Sequence, residues 1–351
     1  MIDFPDILER LIGGVSLKRS EASQIMGYLM DGLLTPAQMA ALLVAIRTMG
    51  TTVNEVTGFT EAMRERLTPV NLQSSGILDT CGTGASRIKV FNVSTAAAFV
   101  AASASIPVAK HGNRAISGKC GSADVLEALG VNINLKPEQL SLCFQKLSIV
   151  FLFATAHHPA MRNVGGVRKE LGVPTIFNLL GPLSNPARAE YQIMGVYDKT
   201  LCELAVRVLL TLGSKQAVVV HGMDGLCEIS SIGTTFVCEI LGNKHTSYYL
   251  KREMLGLKGD PPSYADLAPE PTAELNAILL KKVLSGNVSN AREQACHELL
   301  LVNAAGALKA AGKAENWLEG VEMACNLIQS GAPVQLLENM IEYTQQLGNQ
   351  I

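Results

Sequence analysis

The sequence has no excess of basic residues, no closely spaced cysteines and no long apolar run. Its 29 Lys and Arg residues against 31 Asp and Glu give a formal net charge of -2, which offers no global attraction to nucleic acid or to an anionic membrane. The eight cysteines are scattered without CxxC spacing, so neither a zinc module nor a disulfide framework is indicated. No segment approaches the roughly 18 consecutive apolar residues of a membrane-spanning helix. We therefore expect a cytoplasmic protein with no membrane partner and no nucleic-acid partner.

The chain is rich in apolar residues, which make up 48% of its 351 positions and can fill a large buried core. Within the first 70 residues, the apolar residues from 22 to 30 recur at the spacing of one buried helix face. Two further helices are indicated by capping boxes that start at Thr35 and Thr52. Residues 1–70 are thus predicted to form a helical domain.

The pattern changes after a short polar stretch at residues 68–76. Short apolar runs at 148–154, 191–196 and 216–222 then alternate with helical stretches, as in α/β proteins. Residues 71–351 are therefore predicted to form one larger α/β domain.

The segment DTCGTGASRIKVFNVST, residues 79–95, contains the turn Gly82-Thr83-Gly84 between a predicted strand and a helix of small residues. Such a turn can direct backbone N–H groups and the helix dipole at a phosphate. The pattern is neither a Walker loop nor GxGxxG, and tight turns with two glycines are common. A purely structural turn therefore remains an alternative at this point.

The charge pattern downstream favours the phosphate interpretation. No acidic residue occurs between Asp79 and Asp124. The basic residues in this stretch are Arg87, Lys89, Lys110, Arg114 and Lys119. The segment KHGNRAISGKCGSAD, residues 110–124, adds further hydrogen-bond donors, which suit a phosphate-rich ligand. A solvated loop is the alternative, but it leaves the density of donors unexplained.

Two later segments carry groups of opposite charge. Arg168 lies in the segment 157–186, where its guanidinium could bind a carboxylate. Asp224 and Glu228 follow the apolar run at 216–222, where carboxylates could hold a hard divalent cation or simply cap a turn.

Four long motifs, in order, resemble those of the anthranilate phosphoribosyltransferases: GTG...FNVST, KHGNR...GSADVLEALG, HHPAM...VRKELG...FNLLGPLSNPA and HGMDGL.E. The resemblance covers almost the whole chain. It implies a small N-terminal helical domain, with a helical excursion near 160–185, and a larger α/β domain with a central mixed sheet. It also implies Mg²⁺ and transfer of the 5-phosphoribosyl group from phosphoribosyl pyrophosphate to anthranilate in tryptophan biosynthesis. A homodimer whose contact uses the N-terminal helices is implied as well, and the apolar face from Ala22 to Met30 adds a reason to expect it.

The resemblance also assigns roles to residues. Ser94 and Glu228 match metal ligands, and Gly82, Asn113 and Arg168 match residues that meet anthranilate, with Arg168 at its carboxylate. The positions that match the phosphoribosyl pyrophosphate site are Gly82, Thr83, Gly84, Ala85, Ser86, Val90, Asn92, Val93, Ser94, Thr95, Lys110, His111, Gly112, Asn113, Arg114, Ser117, Gly118 and Ser122. The reaction needs no covalent nucleophile, so none is assigned.

The chain departs from the family pattern at the loop and at the metal. Gly84-Ala85-Ser86 stands where the family has Gly-Gly-Asp, Val90 stands in place of a threonine, and Cys227 in place of an aspartate. A thiol is a poor ligand for Mg²⁺, so we expect a weakened metal site. Three hypotheses stay open: the family's transferase, a transferase for another aromatic acceptor, and a non-catalytic or nucleic-acid-binding relative.

Overall fold

The computed structural model describes residues 3–115 and 120–349, and its central feature is a seven-stranded mixed sheet. The predicted Ser117 and Gly118 lie outside the described residues. The strands are β1 Leu78–Asp79, β2 Val108–Gly112, β3 Ile149–Phe153, β4 Tyr191–Gly195, β5 Gln216–Gly222, β6 Thr235–Leu241 and β7 Lys244–Leu250.

Helices flank this sheet and form a separate group at the start of the chain. They are α1 Phe4–Ile12, α2 Arg19–Met30, α3 Pro36–Met49, α4 Val53–Glu65, α5 Val93–Ser103, α6 Ser122–Ala128, α7 Pro137–Leu147, α8 Ala154–His157, α9 Arg162–Leu171, α10 Ile176–Leu183, α11 Thr200–Thr211, α12 Tyr264–Leu267, α13 Ala273–Leu284, α14 Ala291–Ala310, α15 Trp317–Gln329 and α16 Ala332–Gly348. Short 3₁₀ helices occur at Pro159–Met161 and Arg252–Leu255.

The strand order is β3-β2-β1-β4-β5-β6-β7. The first five strands of this order are parallel, and β6 and β7 add an antiparallel edge. The order of the parallel strands reverses at the neighbours β1 and β4. In open parallel sheets, ligands bind beyond the carboxyl ends of the strands at such a reversal. The loops that follow β1, β2, β4 and β5 all emerge at this edge.

Three apolar clusters of the described residues pack against the sheet, and the smallest joins α7 to β2 and β3. On one face, α5 packs against α14 and α15. Its run of small residues allows these helices to approach closely, and almost every residue of α5 is buried. On the other face, α11 and the N-terminal helices share a core with residues of β4, β5 and β6. The site-bearing edge of the sheet is therefore held between two packed layers.

The N-terminal helices begin as the sequence predicts. Thr35 and Thr52 accept hydrogen bonds from the N3 amides of α3 and α4, and both capping boxes are complete. The apolar face from Ala22 to Met30 is indeed one helix face, but it is buried against α4 within the chain's own core. The predicted buried helix face is therefore confirmed, and because packing within the chain accounts for it, the face no longer supports the predicted homodimer, which stays a prediction.

Later helices return to the N-terminal group. The helices α9 and α10 pack against α2, α3 and α4, and Asn163 donates a 2.7 Å hydrogen bond to the carbonyl of Met30. Within residues 3–115 and 120–349, every helix is too short or too polar to cross a membrane.

Candidate active site

The Gly82-Thr83-Gly84 turn lies at the reversal between β1 and β4. The Thr83 amide donates to the Gly195 carbonyl at 2.8 Å, and its hydroxyl accepts from the Tyr197 amide at 3.1 Å. A Cβ at position 82 would lie 2.7 Å from the Gly195 carbonyl oxygen, so glycine is required there. Among the described residues, the amides of Gly84, Ala85 and Ser86 donate to no protein acceptor. They remain available to a phosphate.

The turn continues in a left-handed conformation. Gly84 and Ala85 both have φ of 60°. Glycine adopts this region freely, whereas alanine incurs a cost of about 1 kcal/mol or more. The family's second glycine would fit position 85 without this cost.

The two departures at 86 and 227 contact each other. The Ser86 hydroxyl accepts from the Cys227 amide at 3.2 Å and lies within hydrogen-bonding distance of the carbonyls of Ile88 (2.6 Å) and Gly225 (3.0 Å). The Cys227 thiol donates to the Gly84 carbonyl at 3.1 Å. Together they fasten the phosphate loop, residues 82–90, onto the turn 222–228.

Burial, reinforced by Glu228, raises the pKa of the Cys227 thiol to about 12. The side chain is only 4% exposed, so it is neutral near pH 7. A neutral thiol that donates a hydrogen bond is no ligand for a hard cation. The structure thus gives residue 227 a role in packing and in tying two loops together.

A buried lysine lies behind the turn on β2. The Lys110 ammonium donates to the hydroxyls of Thr80 at 3.2 Å and Ser94 at 3.4 Å, and burial lowers its pKa. Within the described part of the chain, no carboxylate lies within 4.0 Å of it. Ser94 is half-buried at the first turn of α5, so its hydroxyl lies between the lysine ammonium and the start of this helix.

Asp79 at the end of β1 fixes the loops around this lysine. Its carboxylate accepts hydrogen bonds from the amides of Cys81 (3.1 Å) and His111 (3.0 Å) and from the side chain of Asn185 (2.7 Å). Burial raises the pKa of Asp79 to about 6, although Lys110 and these bonds oppose the increase. Sequence reasoning missed Asp79 and Asn185, since a lone carboxylate at a strand end looks like any turn residue.

The N-terminus of α5 carries the next group of predicted residues. Asn92 is the N-cap residue and donates to the Cys120 carbonyl at 3.2 Å, while its side-chain oxygen is buried without a partner in the described ranges. The hydroxyl of Thr95 is also buried and unpartnered among the described residues. Val93 is buried, and Val90 packs against the same core. The Val93 side chain is therefore withdrawn from any substrate, and the partly buried Val90 can offer polar contacts only through its backbone.

The loop after β2 is organised by its own hydrogen bonds. Gly112 leaves room for the Ser122 hydroxyl, which donates to the Asn113 carbonyl at 3.3 Å. Arg114 pairs with Asp124 at 3.0 Å and Glu127 at 2.8 Å. Its charge is therefore satisfied within the protein, unlike that of Lys110.

Arg168 lies on α9, half-buried, with its guanidinium 5.2 Å from the centre of the Phe177 ring. Burial lowers its pKa, and no carboxylate within the described ranges pairs with it. An arginine stacked on an aromatic ring and without an acidic partner is well suited to bind a carboxylate ligand.

Three buried histidines lie near the carboxyl ends of β2 and β3. The rings of His111 and His158 are 5.1 Å apart between centroids, and neither ring has a hydrogen-bond partner among the described residues. The Nδ1 atom of His157 lies 3.0 Å from the Thr68 carbonyl oxygen, to which it can donate. Burial lowers all three pKa values, that of His158 to about 4. No signal in the sequence indicates that these histidines meet.

Glu228 is the carboxylate best suited to a cation. Its Oε2 is buried and accepts no hydrogen bond from the described residues, and burial raises its pKa to about 7 while Lys89 opposes the increase. Asp224 is committed elsewhere, because it accepts from the Ser230 hydroxyl at 2.5 Å and the Leu226 amide at 3.4 Å. Mg²⁺ is commonly held by one or two carboxylates with substrate phosphates and water, so Glu228 and Ser94 fit it, with less carboxylate than the family pattern has.

A second group of metal-ligating types, Asp79, Cys81 and His111, has ligand atoms within 4.8 Å of one another. The Asp79 oxygens are already hydrogen-bonded, and burial raises the pKa of the Cys81 thiol to about 12. Nitrogen and sulfur ligands also suit Mg²⁺ poorly. This group fits a structural role.

Comparisons with known proteins match both parts of the chain. The α/β domain of a glycosyl transferase family matches residues 74–334, and the helical bundle domain of such a family matches residues 5–67. The anthranilate phosphoribosyltransferase of Clostridium kluyveri is 42% identical over 338 residues, covering 96% of this chain and 98% of its own length. That of Symbiobacterium thermophilum is 45% identical over 341 residues, covering 97% and 98%.

Solved structures are similar over the same extent. The anthranilate phosphoribosyltransferase from Thermus thermophilus superposes with a TM-score of 0.88 at 37% identity, covering 96% of this chain and 99% of that one. The enzyme from Saccharomyces cerevisiae in complex with PRPP and Mg gives a TM-score of 0.88 at 27% identity, with 98% of each chain covered.

Proposed function

The chain belongs to the anthranilate phosphoribosyltransferase family, and we propose that the loops at the carboxyl edge of its sheet carry out the family's reaction. That reaction transfers the 5-phosphoribosyl group from phosphoribosyl pyrophosphate (PRPP) to the amine of anthranilate, in tryptophan biosynthesis. The observation that carries the proposal is that free loop amides and Lys110, which forms no salt bridge, both lie at the β1 and β4 reversal within the described part of the chain. Such a set of donors matches a pyrophosphate.

For the donor, we propose that the phosphate loop and the first turn of α5 bind the pyrophosphate. The amides of Gly84 to Ser86 would donate to its oxygens, and the helix dipole adds a favourable potential. Lys110, positioned by Thr80 and Ser94, would balance the negative charge that builds up as the bond from C1 to oxygen breaks.

For the acceptor, we propose that the Arg168 guanidinium binds the carboxylate of anthranilate. Its charge has no internal partner in the described structure, and the Phe177 ring keeps it in place. Asn113 belongs to the neighbouring loop after β2, and its side chain meets the Thr155 hydroxyl at 3.4 Å. Holding the aromatic amine near C1 lowers the entropic barrier of the transfer.

Mg²⁺ would be held by Glu228 and Ser94 together with oxygens of the donor. When bound, it neutralises negative charge on the pyrophosphate leaving group. The residues of the chain then have to orient the donor and exclude water. Thr83 in the phosphate loop and Val93 at the start of α5 are both buried, which favours the exclusion of water.

We further propose a cytoplasmic homodimer that forms through the N-terminal group of helices, with a domain boundary near residue 70. The Ala22 to Met30 face is buried, so the contact must use other residues. Ile12, Leu33 and Val44 are 68%, 62% and 44% exposed on or beside these helices. Sedimentation of the parent and of Leu33→Glu at micromolar concentration checks this, because the variant should dissociate, whereas a monomeric parent would refute it.

The function is tested by mixing the protein with anthranilate, PRPP and Mg²⁺ and following the loss of anthranilate fluorescence together with pyrophosphate release. Both signals should appear at equal rates and be lost in Lys110→Gln. Pyrophosphate release that needs a different aromatic acid would instead show another acceptor. No transfer at all, with a nucleic-acid probe retarded in moderate salt, would favour the binding protein.

A further inference from the structure

Two cations lie over the turn that carries Glu228. The Ser86 bonds described above press residues 86–89 onto residues 225–227. Arg87 lies along this turn, since its Cβ is 3.6 Å from the position that a Cβ on Gly225 would occupy. The backbone at position 225 has a φ of 98°, a conformation that favours glycine. The bridge that stands in place of two acidic residues thus holds Arg87 beside the turn, and Lys89 follows two positions later in the same loop.

In residues 3–115 and 120–349, these two cations form no salt bridge. Among the described residues neither Arg87 nor Lys89 has a carboxylate within 4.0 Å or a side-chain hydrogen bond. Lys89 follows Ile88, whose carbonyl oxygen lies 2.6 Å from the Ser86 hydroxyl, so the same bridge holds its backbone beside residues 225–227. Lys89 is half-buried and Arg87 exposed. Within the described ranges, the site therefore has two positive charges without a salt bridge, beside one carboxylate with an unused oxygen. Arg87 also contributes to lowering the pKa of the Asp198 carboxyl.

The phosphate loop and the turn at 222–228 carry fewer carboxylates than the metal site of the family pattern. Where Ser86 and Cys227 stand, the family pattern has aspartates, whereas this chain has a hydroxyl and a neutral thiol. With fewer carboxylates, the turn attracts a divalent cation less strongly. With no aspartate at 86 or 227, Lys89 forms no salt bridge among the described residues, and its ammonium can face an anion.

We propose that Lys89, assisted by Arg87, binds the pyrophosphate of the donor directly and takes over part of the charge neutralisation that a divalent cation provides. The proposal rests on the proposed function. In the transfer, the amine nitrogen bonds to C1, the bond from C1 to oxygen breaks, and its electron pair leaves with the pyrophosphate, while a proton passes from the amine to water. Lys89 and Arg87 remain protonated throughout and stabilise the leaving group electrostatically.

The test is calorimetric titration of the full chain with PRPP, once with EDTA and once with saturating Mg²⁺. The parent should bind in EDTA, within about tenfold of its affinity in Mg²⁺. Lys89→Gln should weaken binding in EDTA by about tenfold, and by less when Mg²⁺ is present, because the metal then carries more of the charge. Arg87→Gln should show the same pattern with a smaller effect, as its side chain is exposed.

The matched control is Lys313→Gln, which removes the same charge from an exposed residue. Lys313 follows Gly312, which lies against Gln216 at the opposite edge of the sheet, so the affinity of this variant for PRPP should equal that of the parent. Comparable melting temperatures show that the variants are folded.

Three outcomes separate the hypotheses. A parent that binds PRPP only with Mg²⁺, or a Lys89→Gln variant that matches the parent in EDTA, overturns the role of these cations and leaves the transferase intact. A parent that binds PRPP under neither condition overturns the donor site itself, and the proposed function with it. Loss of binding in Lys89→Gln but not in Lys313→Gln supports the proposal.

Discussion

Replacing Cys227 by aspartate should increase the affinity of the site for Mg²⁺. Burial and the neighbouring Glu228 raise the pKa of the thiol from 9.0 to about 12, so a negative charge at this position costs about 4 kcal/mol. The attraction between a carboxylate and a divalent cation about 4 Å away is roughly 8 kcal/mol at an effective dielectric constant of about 20. The difference of about 4 kcal/mol is an upper limit, because the cation gives up hydration and Lys89 competes for the new charge.

We therefore expect the Mg²⁺ concentration for half-maximal rate to fall by about tenfold, which is about 1.4 kcal/mol. The assay is the initial rate of anthranilate consumption as Mg²⁺ is varied, with PRPP saturating. Cys227→Asn is the matched control, since it adds a polar side chain of the same shape without charge. The acceptor Michaelis constant should stay constant in both variants.

Metal dependence that is equal in parent, Cys227→Asp and Cys227→Asn would refute this reasoning, because it would show that residue 227 does not face the cation. Thermal unfolding gives an independent check. Without metal, Cys227→Asp should be less stable than the parent because its carboxylate is buried, and Mg²⁺ should restore stability to a greater extent than in the parent.

Arg168→Gln should raise the Michaelis constant for anthranilate by at least about tenfold and change that for PRPP by no more than about twofold, because the guanidinium that we propose binds the acceptor's carboxylate is lost. Initial-rate kinetics with each substrate varied would contradict this if only the donor constant rose. Burial lowers the pKa of His158 to about 4, below the ordinary value of about 6.5, so the unfolded chain binds more protons between these values and stability should fall by up to about 3 kcal/mol as the pH is lowered through this window. Urea unfolding at several pH values should show a flatter dependence in His158→Phe, and an unchanged slope would count against the assignment. Ala85→Gly should raise the free energy of unfolding by about 1 kcal/mol, since residue 85 is left-handed in the fold, whereas a destabilised variant would mean that the loop does not need this conformation.

Much of the fold follows from local sequence signals. The boxes at Thr35 and Thr52 place the starts of α3 and α4 because capping depends on residues only three positions apart. The apolar runs at 148–154, 191–196 and 216–222 become β3, β4 and β5, since fully buried parallel strands read as continuous apolar segments. The resemblance added the mixed sheet, which periodicity alone did not indicate.

Features that depend on tertiary contact could not be read from spacing. An apolar helix face says that something covers residues 22 to 30, but not whether the cover is α4 or a second subunit. The pairing of Arg114 with Asp124 and Glu127 likewise turns one predicted donor ligand into an internally satisfied residue, although the basic stretch made it equivalent to Lys110. The histidine cluster brings together residues from β2 and from the segment after β3, which are far apart in sequence.

The departures at 86 and 227 illustrate the same limit, because the sequence presents them as two separate losses. In the fold the two residues contact each other, and an aspartate at position 86 would not have the same effect as an aspartate at position 227. The Ser86 hydroxyl faces the carbonyl oxygens of Ile88 and Gly225, so a carboxylate at 86 would meet two acceptors and force the loop to move. Residue 227 faces one carbonyl, at Gly84, and adjoins Glu228 and Lys89. Of the two positions, residue 227 can therefore take a carboxylate with less displacement of the loop, which is why Cys227→Asp rather than Ser86→Asp tests the metal site.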